Sequence, residues 1–274
     1  MIKKDFVLPK ERAGMNPVSI MGEEEGIYFT FRSDFGAIAR ILPEPLEPAF
    51  PLVSGYVVEI NKPAFAKPYK EAMIGVYVKY QGQIGMYPVS FLLSGEGAEM
   101  ATLGGRERFG LPKKMCETKD CIQLEKDDQR ARAIVKRGGV TLLDVSLKLG
   151  HYNNEATGAV YGNPGPGKVS GGLSYYAQPV AEPDGSGFDV FKKINLYTNV
   201  AEYTYQTWEP GEVSIRMQSS QNDAWGYFPV IENMGGAFSK NDIEMKDLQL
   251  AQTIPVEGNI NKLLVSRYDQ LCLK

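Results

Sequence analysis

The sequence predicts a mainly β chain of the α+β class, and three observations carry that expectation. Short runs of β-branched and aromatic residues recur from residue 27 onward. Glycines and prolines, 29 and 17 of them, separate many of these runs. Only two stretches read as helix.

Taken in order, Ile27-Tyr-Phe-Thr-Phe-Arg-Ser33 is the first strand. A short helix follows. Ser33 or Asp34 can cap it, and Phe35, Ile38 and Ile41 or Leu42 fall at helical spacing. Pro43 and Pro45 end it. Strands are expected over 52–60, 72–80 and 84–93, with Gln81-Gly82 turning the second of these into the third. Residues 97–108 form the second candidate helix. Residues 130–136 and 140–149 read as a hairpin across Gly138-Gly139. Later strands are expected over 187–196, 200–208, 213–217 and 225–231. The turn-rich segments 163–172 and 183–187 read as loops within a single domain spanning 1–274.

Composition narrows the function. A content of 43% hydrophobic and 23% charged residues is that of an ordinary soluble chain. The net charge of -3 gives no reason to expect a nucleic-acid partner. No apolar run approaches the roughly 20 residues of a membrane span. The first residues lack an apolar signal core, so a cytoplasmic protein is expected. Cys116, Cys121 and Cys272 are then expected to be reduced thiols. His151, the single histidine, cannot supply a His-rich zinc site, and it reads as a turn or surface residue. Gly162-Asn-Pro-Gly-Pro-Gly-Lys168 resembles a phosphate loop, but Val169 stands where Ser or Thr should hold magnesium. Pro164 and Pro166 also remove amide donors, so a surface loop is expected.

The chemistry is concentrated in Gly105-Arg-Glu-Arg-Phe-Gly-Leu-Pro-Lys113-Lys114. A free lysine titrates near 10.4 and is a poor nucleophile at neutral pH. Desolvation and a neighbouring ammonium both disfavour its charged form, and a neutral amine can attack a ketone to form a Schiff base. Adjacent lysines alone are weak evidence, since Lys3-Lys4 and Lys192-Lys193 also occur. The glycines, the Arg106-Glu107 pair and Pro112 set this pair apart. Arg106-Glu107 is expected to form an ion pair that orients the segment.

This block resembles the Gly-Arg-Glu…Pro-Lys-Lys segment of the acetoacetate decarboxylase family, in which a neighbouring cation is an established device for activating lysine. Three further blocks resemble that family in the same order: residues 31–47, ending Pro-Glu-Pro-Leu-Glu47; Tyr69-Lys70-Glu71; and residues 229–238 with the acidic stretch after them. The likeness runs from about residue 28 to about residue 253. It implies an antiparallel β cone or barrel with a few short helices, a homo-oligomer, and chemistry that needs no metal or organic cofactor. By the same resemblance Lys113 is the Schiff-base nucleophile, Lys114 the neighbour that lowers its pKa, and Glu71 the carboxylate that positions substrate or moves protons. Tyr69 is a weaker candidate for that work.

One departure stands out. An alignment on Arg32-Ser33-Asp34 puts Glu25 where decarboxylating members carry an arginine for the substrate carboxylate. Arg32 and Arg106 are the candidate replacements. The first expectation is therefore decarboxylation of acetoacetate or a related β-keto acid. The alternative is a Schiff-base aldolase–dehydratase or cyclase–dehydratase acting on a 2-oxo acid such as pyruvate, and the third is a non-catalytic small-molecule-binding barrel.

Overall fold

The computed structural model describes residues 19–183, 189–256 and 259–269. Its strands are β1 (Ser19–Arg32), β2 (Glu47–Pro63), β3 (Tyr69–Tyr80), β4 (Gln83–Ser94), β5 (Lys113–Met115), β6 (Ile122–Lys126), β7 (Arg130–Arg137), β8 (Val140–Leu149), β9 (Val169–Pro183), β10 (Asp189–Met217) and β11 (Glu232–Pro255). The helices are α1 (Phe35–Ile41), α2 (Ala98–Phe109), α3 (Thr157–Val160) and α4 (Ile260–Leu264). All eleven strands join one sheet, so the mainly β expectation holds.

β1 to β4 form an antiparallel meander. β9, β10 and β11 continue the sheet, and β11 pairs with both β10 and β1. The ring so closed is not a regular barrel, because β4 and β9 meet in parallel at Met86 and Ser174 alone. The far end of β10 leaves the ring and pairs with β8, which leads on to β7 and β6.

Alternation along β1 builds two cores. Ile27, Phe29 and Phe31 pack into one that includes Val135, Leu143 and Val145 of the β7–β8 hairpin. Tyr28 faces the other, with Val58, Met73, Phe91, Phe109 and Trp208. The functional site lies on this second face.

Local signals were reliable where a turn or cap fixes the backbone. Asp34 accepts a hydrogen bond from the Ala37 amide at 2.6 Å and caps α1. Gly82, Gly138 and Gly139 take the positive φ of their turns.

Four expectations need correction. The strands expected over 187–196, 200–208 and 213–217 belong, from residue 189 on, to one bent strand, β10, and register shifts between 196 and 207 explain its broken pattern; 187 and 188 lie outside the described residues. Residues 225–231 are not a strand. A 3₁₀ turn, Trp225–Tyr227, stands there, and the fully buried Trp225 indole donates to Ser90 at 3.1 Å. Residues 169–172, read as loop, open β9. Cys116 and Cys121 are joined as a disulfide, their Cα atoms 6.2 Å apart. An odd, sparse set of cysteines predicts reduced thiols, but the turn between β5 and β6 brings these two within bridging reach.

The predicted loop at 183–187 falls outside the described residues after Pro183, as does Cys272. The glycine-rich loop before β9 folds on itself, with Lys168 Nζ donating to the Asn163 carbonyl at 2.9 Å. Among the described residues no helix is long and apolar enough to cross a membrane.

Candidate active site

A turn and a strand deliver Lys113. Helix α2 ends at Gly110, whose φ of 67° lets its amide reach back to the carbonyls of Gly105 and Arg106. Pro112 follows, and β5 then lies parallel to β4 with Lys113 beside Phe91. Successive residues of a strand point to opposite faces, so the two lysines part company here.

Lys113 turns toward the second core. Its Nζ lies 2.7 Å from Glu71 Oε2, and the two side chains are only 6% and 3% exposed. Tyr56 donates its hydroxyl proton to the other Glu71 oxygen at 2.7 Å. The Phe91 ring centroid lies 5.3 Å from the ammonium. Register explains the grouping: Tyr28 opposes Tyr56, Tyr56 opposes Met73, and Met73 opposes Phe91. Four adjacent strands thus place a row of side chains on one face, with Glu71 two residues from Met73.

Gly105 makes room for the lysine. A Cβ at this position would lie 2.8 Å from both Cδ and Cε of Lys113. Gly105→Ala is therefore expected to displace the amine and slow its reaction with ketones by roughly 10²-fold. Borohydride-trapping rates check this, and unchanged rates would show that the lysine needs no such room.

Above the pair opens a cavity of about 650 Å³. Its walls include Tyr28, Phe65, Tyr77, Tyr161, Tyr203 and Trp208, with Met21, Met86 and Met245 as softer surface. Lys113 and Arg108 are the cationic side chains lining it.

Lys114 faces away from this cavity. Its Nζ donates to the Asn222 carbonyl at 2.7 Å and lies 3.6 Å from Asp223 and 3.4 Å from Asp269. Arg137 completes that buried cluster, 2.9 Å from Asp223 and 2.8 Å from Asp269. Burial lowers the Lys114 pKa, and the two carboxylates oppose the shift. The expected role of Lys114 as an ammonium pressed against Lys113 is thus corrected: strand alternation separates the two heads and gives Lys114 acidic partners of its own.

The remaining candidates also lie apart from the lysine. Tyr69 is buried with its hydroxyl unpartnered among the described residues, and burial pushes its pKa well up. It does not line the cavity. Arg32 ends β1 in a half-exposed ion pair with Glu232 at 2.9 Å. Arg106 stacks 4.7 Å over Tyr268 and donates to the Arg267 carbonyl at 3.4 Å. Neither arginine lines the cavity.

Glu25 does not point into the site either. It pairs with Lys240 at 2.8 Å, and Glu23 pairs with Lys62. A bulge between Met21 and Glu24, with Glu23 at φ 50°, turns Glu24 inward instead. Glu24 accepts hydrogen bonds from the Tyr28 hydroxyl and from Asn241 Nδ2. Burial raises its pKa from 4.5 to about 7. The folded chain therefore keeps a proton that the unfolded chain releases. This contribution to stability is full below pH 4.5, declines as pH rises toward 7, and is gone above it. The loss is roughly 3 kcal/mol. Glu24→Gln is expected to raise the melting temperature above that of the parent at pH 8 and much less at pH 4.5. Equal effects at both values would contradict a neutral buried Glu24.

Sequence reasoning also missed Arg267. Its buried guanidinium donates to the carbonyls of Gly110, Leu111 at 3.0 Å and Ala177 at 2.6 Å, and so clamps the turn that presents Lys113. Burial lowers its pKa to about 10. His151 is surface-exposed, 2.6 Å from Glu212. Among the described residues no group of three or more His, Cys, Asp or Glu is placed to hold a metal.

Comparisons with known proteins agree with this architecture. The sequence model of the acetoacetate decarboxylase family matches residues 7–254. A CLA biosynthesis isomerase from Lactiplantibacillus plantarum is 32% identical over 259 residues, 91% of this chain and 89% of that protein. Acetoacetate decarboxylase 1 of Bradyrhizobium diazoefficiens is 36% identical over 105 residues, 38% of this chain and 40% of that protein. Among solved structures, acetoacetate decarboxylase from Legionella pneumophila superposes with a TM-score of 0.70 at 16% identity, covering 87% of this chain and 88% of that one. The enduracididine biosynthesis enzyme MppR, complexed with pyruvate, gives 0.62 at 12%, covering 91% and 93%. At those identities the structural matches establish the fold alone.

Proposed function

The chain belongs to the acetoacetate decarboxylase family, and from that premise we propose that it is a lysine-imine enzyme that shifts a proton between carbons of a ketone on a long apolar chain. One observation carries the reading: the buried Lys113–Glu71 pair opens onto a cavity of about 650 Å³ with aromatic walls. Acetoacetate would fill a small part of that space. The relative that spans most of the chain is named an isomerase, which favours proton transfer over carbon dioxide release.

The pair can start the reaction itself. Proton transfer from the Lys113 ammonium to Glu71, its partner at 2.7 Å, frees the amine and leaves the acid a proton for the later loss of water. The amine adds to the ketone carbon, and loss of water leaves a protonated imine. Glu71, once again a carboxylate, sits at the nitrogen and so within reach of the carbon two bonds away. It removes a proton there, and the electrons of that C–H bond flow into the iminium to give an enamine. When a double bond lies one carbon further on, the product is a dienamine, and protonation at its far end moves the double bond into conjugation. Water then releases the ketone and frees Lys113.

Decarboxylation remains the second reading, favoured by Arg108 as a further cation at the same cavity. In that case the C–C bonding pair enters the iminium as carbon dioxide leaves, and the enamine carbon takes up a proton.

Borohydride reduction in the presence of 2-decanone, acetoacetate or pyruvate, followed by peptide mass spectrometry, tests the assignment. A 2-decanone adduct on Lys113, with deuterium exchange next to its carbonyl in D₂O and no carbon dioxide from acetoacetate, is the expected result. Carbon dioxide release from acetoacetate would favour decarboxylation, and a pyruvate adduct without it the aldolase–dehydratase alternative. An adduct on another lysine, or on none, would overturn the imine reading.

A further inference from the structure

The sequence offers no reason to single out Glu24 from Glu23 and Glu25, and the Lys113–Glu71 chemistry makes no use of it. The fold treats it differently from its neighbours. It is 2% exposed, on the same face of the sheet as Tyr28 and Tyr56. Asn241 Nδ2 holds its Oε1 at 3.1 Å, and Asn241 is in turn fixed by the Ser239 hydroxyl at 2.8 Å. The Tyr28 hydroxyl meets the same carboxylate oxygen, while the Tyr28 side chain lines the cavity shared with Lys113. The rings of Tyr28 and Tyr56 are 5.6 Å apart, and Tyr56 contacts Glu71. Two buried carboxylates are each hydrogen-bonded to a tyrosine that lines the same cavity.

We propose that Tyr28, backed by Glu24, is a second proton-transfer group of the site, working on a carbon farther from the imine than the one Glu71 reaches. The proposal rests on the imine reading given above. In a dienamine the two reacting carbons stand one carbon apart, and the far one lies two bonds farther from the imine nitrogen, so a carboxylate held against that nitrogen meets the near carbon first. Glu71 takes the proton from the near carbon. Tyr28, whose hydroxyl donates to Glu24 at rest, turns that proton to the far carbon and recovers one from the protonated Glu24, which ends the step as a carboxylate. Bulk water exchanges the proton on Glu71 and reprotonates Glu24 before the next turnover, so the protons balance without an added reagent. A carboxylic acid that still holds its proton near neutrality suits that supply. Burial raises the Glu24 pKa most; Tyr28 of its own strand and Asn241 of β11 oppose the rise, and Glu71 of β3 and Asp242 of β11 add to it. Tyr56 of β2, Tyr69 of β3 and Tyr203 and Tyr205 of β10 feel its charge, and Ile60 of β2 stands opposite it. Tyr28 is the catalytic residue of the two, and Glu24 acts through it.

Dec-4-en-2-one in D₂O separates the two proton transfers. Exchange at C3 reports the near carbon. Deuterium at C5 of the conjugated product reports the far one. Tyr28→Phe and Glu24→Gln are expected to lower C5 deuteration at least about tenfold relative to C3 exchange. Borohydride trapping on Lys113 should persist in both. Glu24→Gln should also remove a pH limb near 7 from the C5 step. If both variants lose C3 and C5 incorporation in parallel, the tyrosine and carboxylate are structural and the proposal is overturned. Unchanged C5 deuteration in both would overturn it as well, with the imine reading intact. No trapped adduct in the parent enzyme would overturn both readings together. Tyr28→Phe keeps the test decisive should Glu24→Gln fail to fold.

Discussion

Replacing Lys113 with methionine is expected to lower turnover of any ketone substrate by at least about 10³-fold and to abolish the borohydride-trapped adduct. The same substitution should cost stability, for a reason separate from catalysis. Glu71 is 3% exposed, and its ion pair with Lys113 at 2.7 Å would be lost. Among the described residues only the Tyr56 hydroxyl, at 2.7 Å, would still meet it. Leaving one member of a buried pair alone costs on the order of 3 kcal/mol. Lys113→Met with Glu71→Gln should restore most of that stability, because a neutral amide can still accept the tyrosine hydrogen bond. It should restore none of the activity. Recovery of both, or of neither, would show that the two side chains are not coupled as the geometry describes.

The lysine pair was legible in the sequence because its context was local: a helix, a glycine, a proline and a strand in ten residues. The strands and turns of β1 to β4 and of the β7–β8 hairpin were legible for the same reason. What decided the site beyond that was orientation, and orientation depends on register. Lys113 and Lys114 are adjacent in sequence yet end in different cores, because β5 alternates its side chains. Glu24 displaced Glu25 as the inward carboxylate because of a bulge, a one-residue irregularity that no spacing rule locates. Tyr56 and Tyr28 joined Glu71 through pairing across β1, β2 and β3, and 27 Tyr and Phe residues in the sequence gave no way to choose them. Arg32 and Arg106 were chosen as cations by position in the chain. Each instead found a nearby partner on a different part of the surface.

Arg267→Met is expected to destabilise the protein by roughly 3 to 5 kcal/mol, although Arg267 touches neither Lys113 nor the cavity. Arg267 is 6% exposed, and its guanidinium forms no ion pair among the described residues and serves three backbone carbonyls. Two of them, Gly110 and Leu111, lie between the end of α2 and Lys113, and the third, Ala177, belongs to β9. Methionine fills the volume of the stem but removes every donor; the Leu111 carbonyl keeps the Lys113 amide at 2.9 Å, and each buried carbonyl left without a partner costs about 1 to 3 kcal/mol. Lysine at the same position keeps a charge but presents a compact ammonium where a planar fork spans three acceptors. Arg267→Lys should therefore fall between the parent and Arg267→Met in melting temperature. The turn that Arg267 holds also aims the nucleophile, so both variants should slow borohydride trapping in the same order as they lose stability. A methionine variant within about 1 kcal/mol of the parent would mean that the carbonyls find water, and that Arg106 and Gly110 suffice to hold the turn. The contrast with Lys113→Met separates two demands on one segment: Lys113 supplies the reacting atom, and a residue more than 150 positions later fixes where that atom stands.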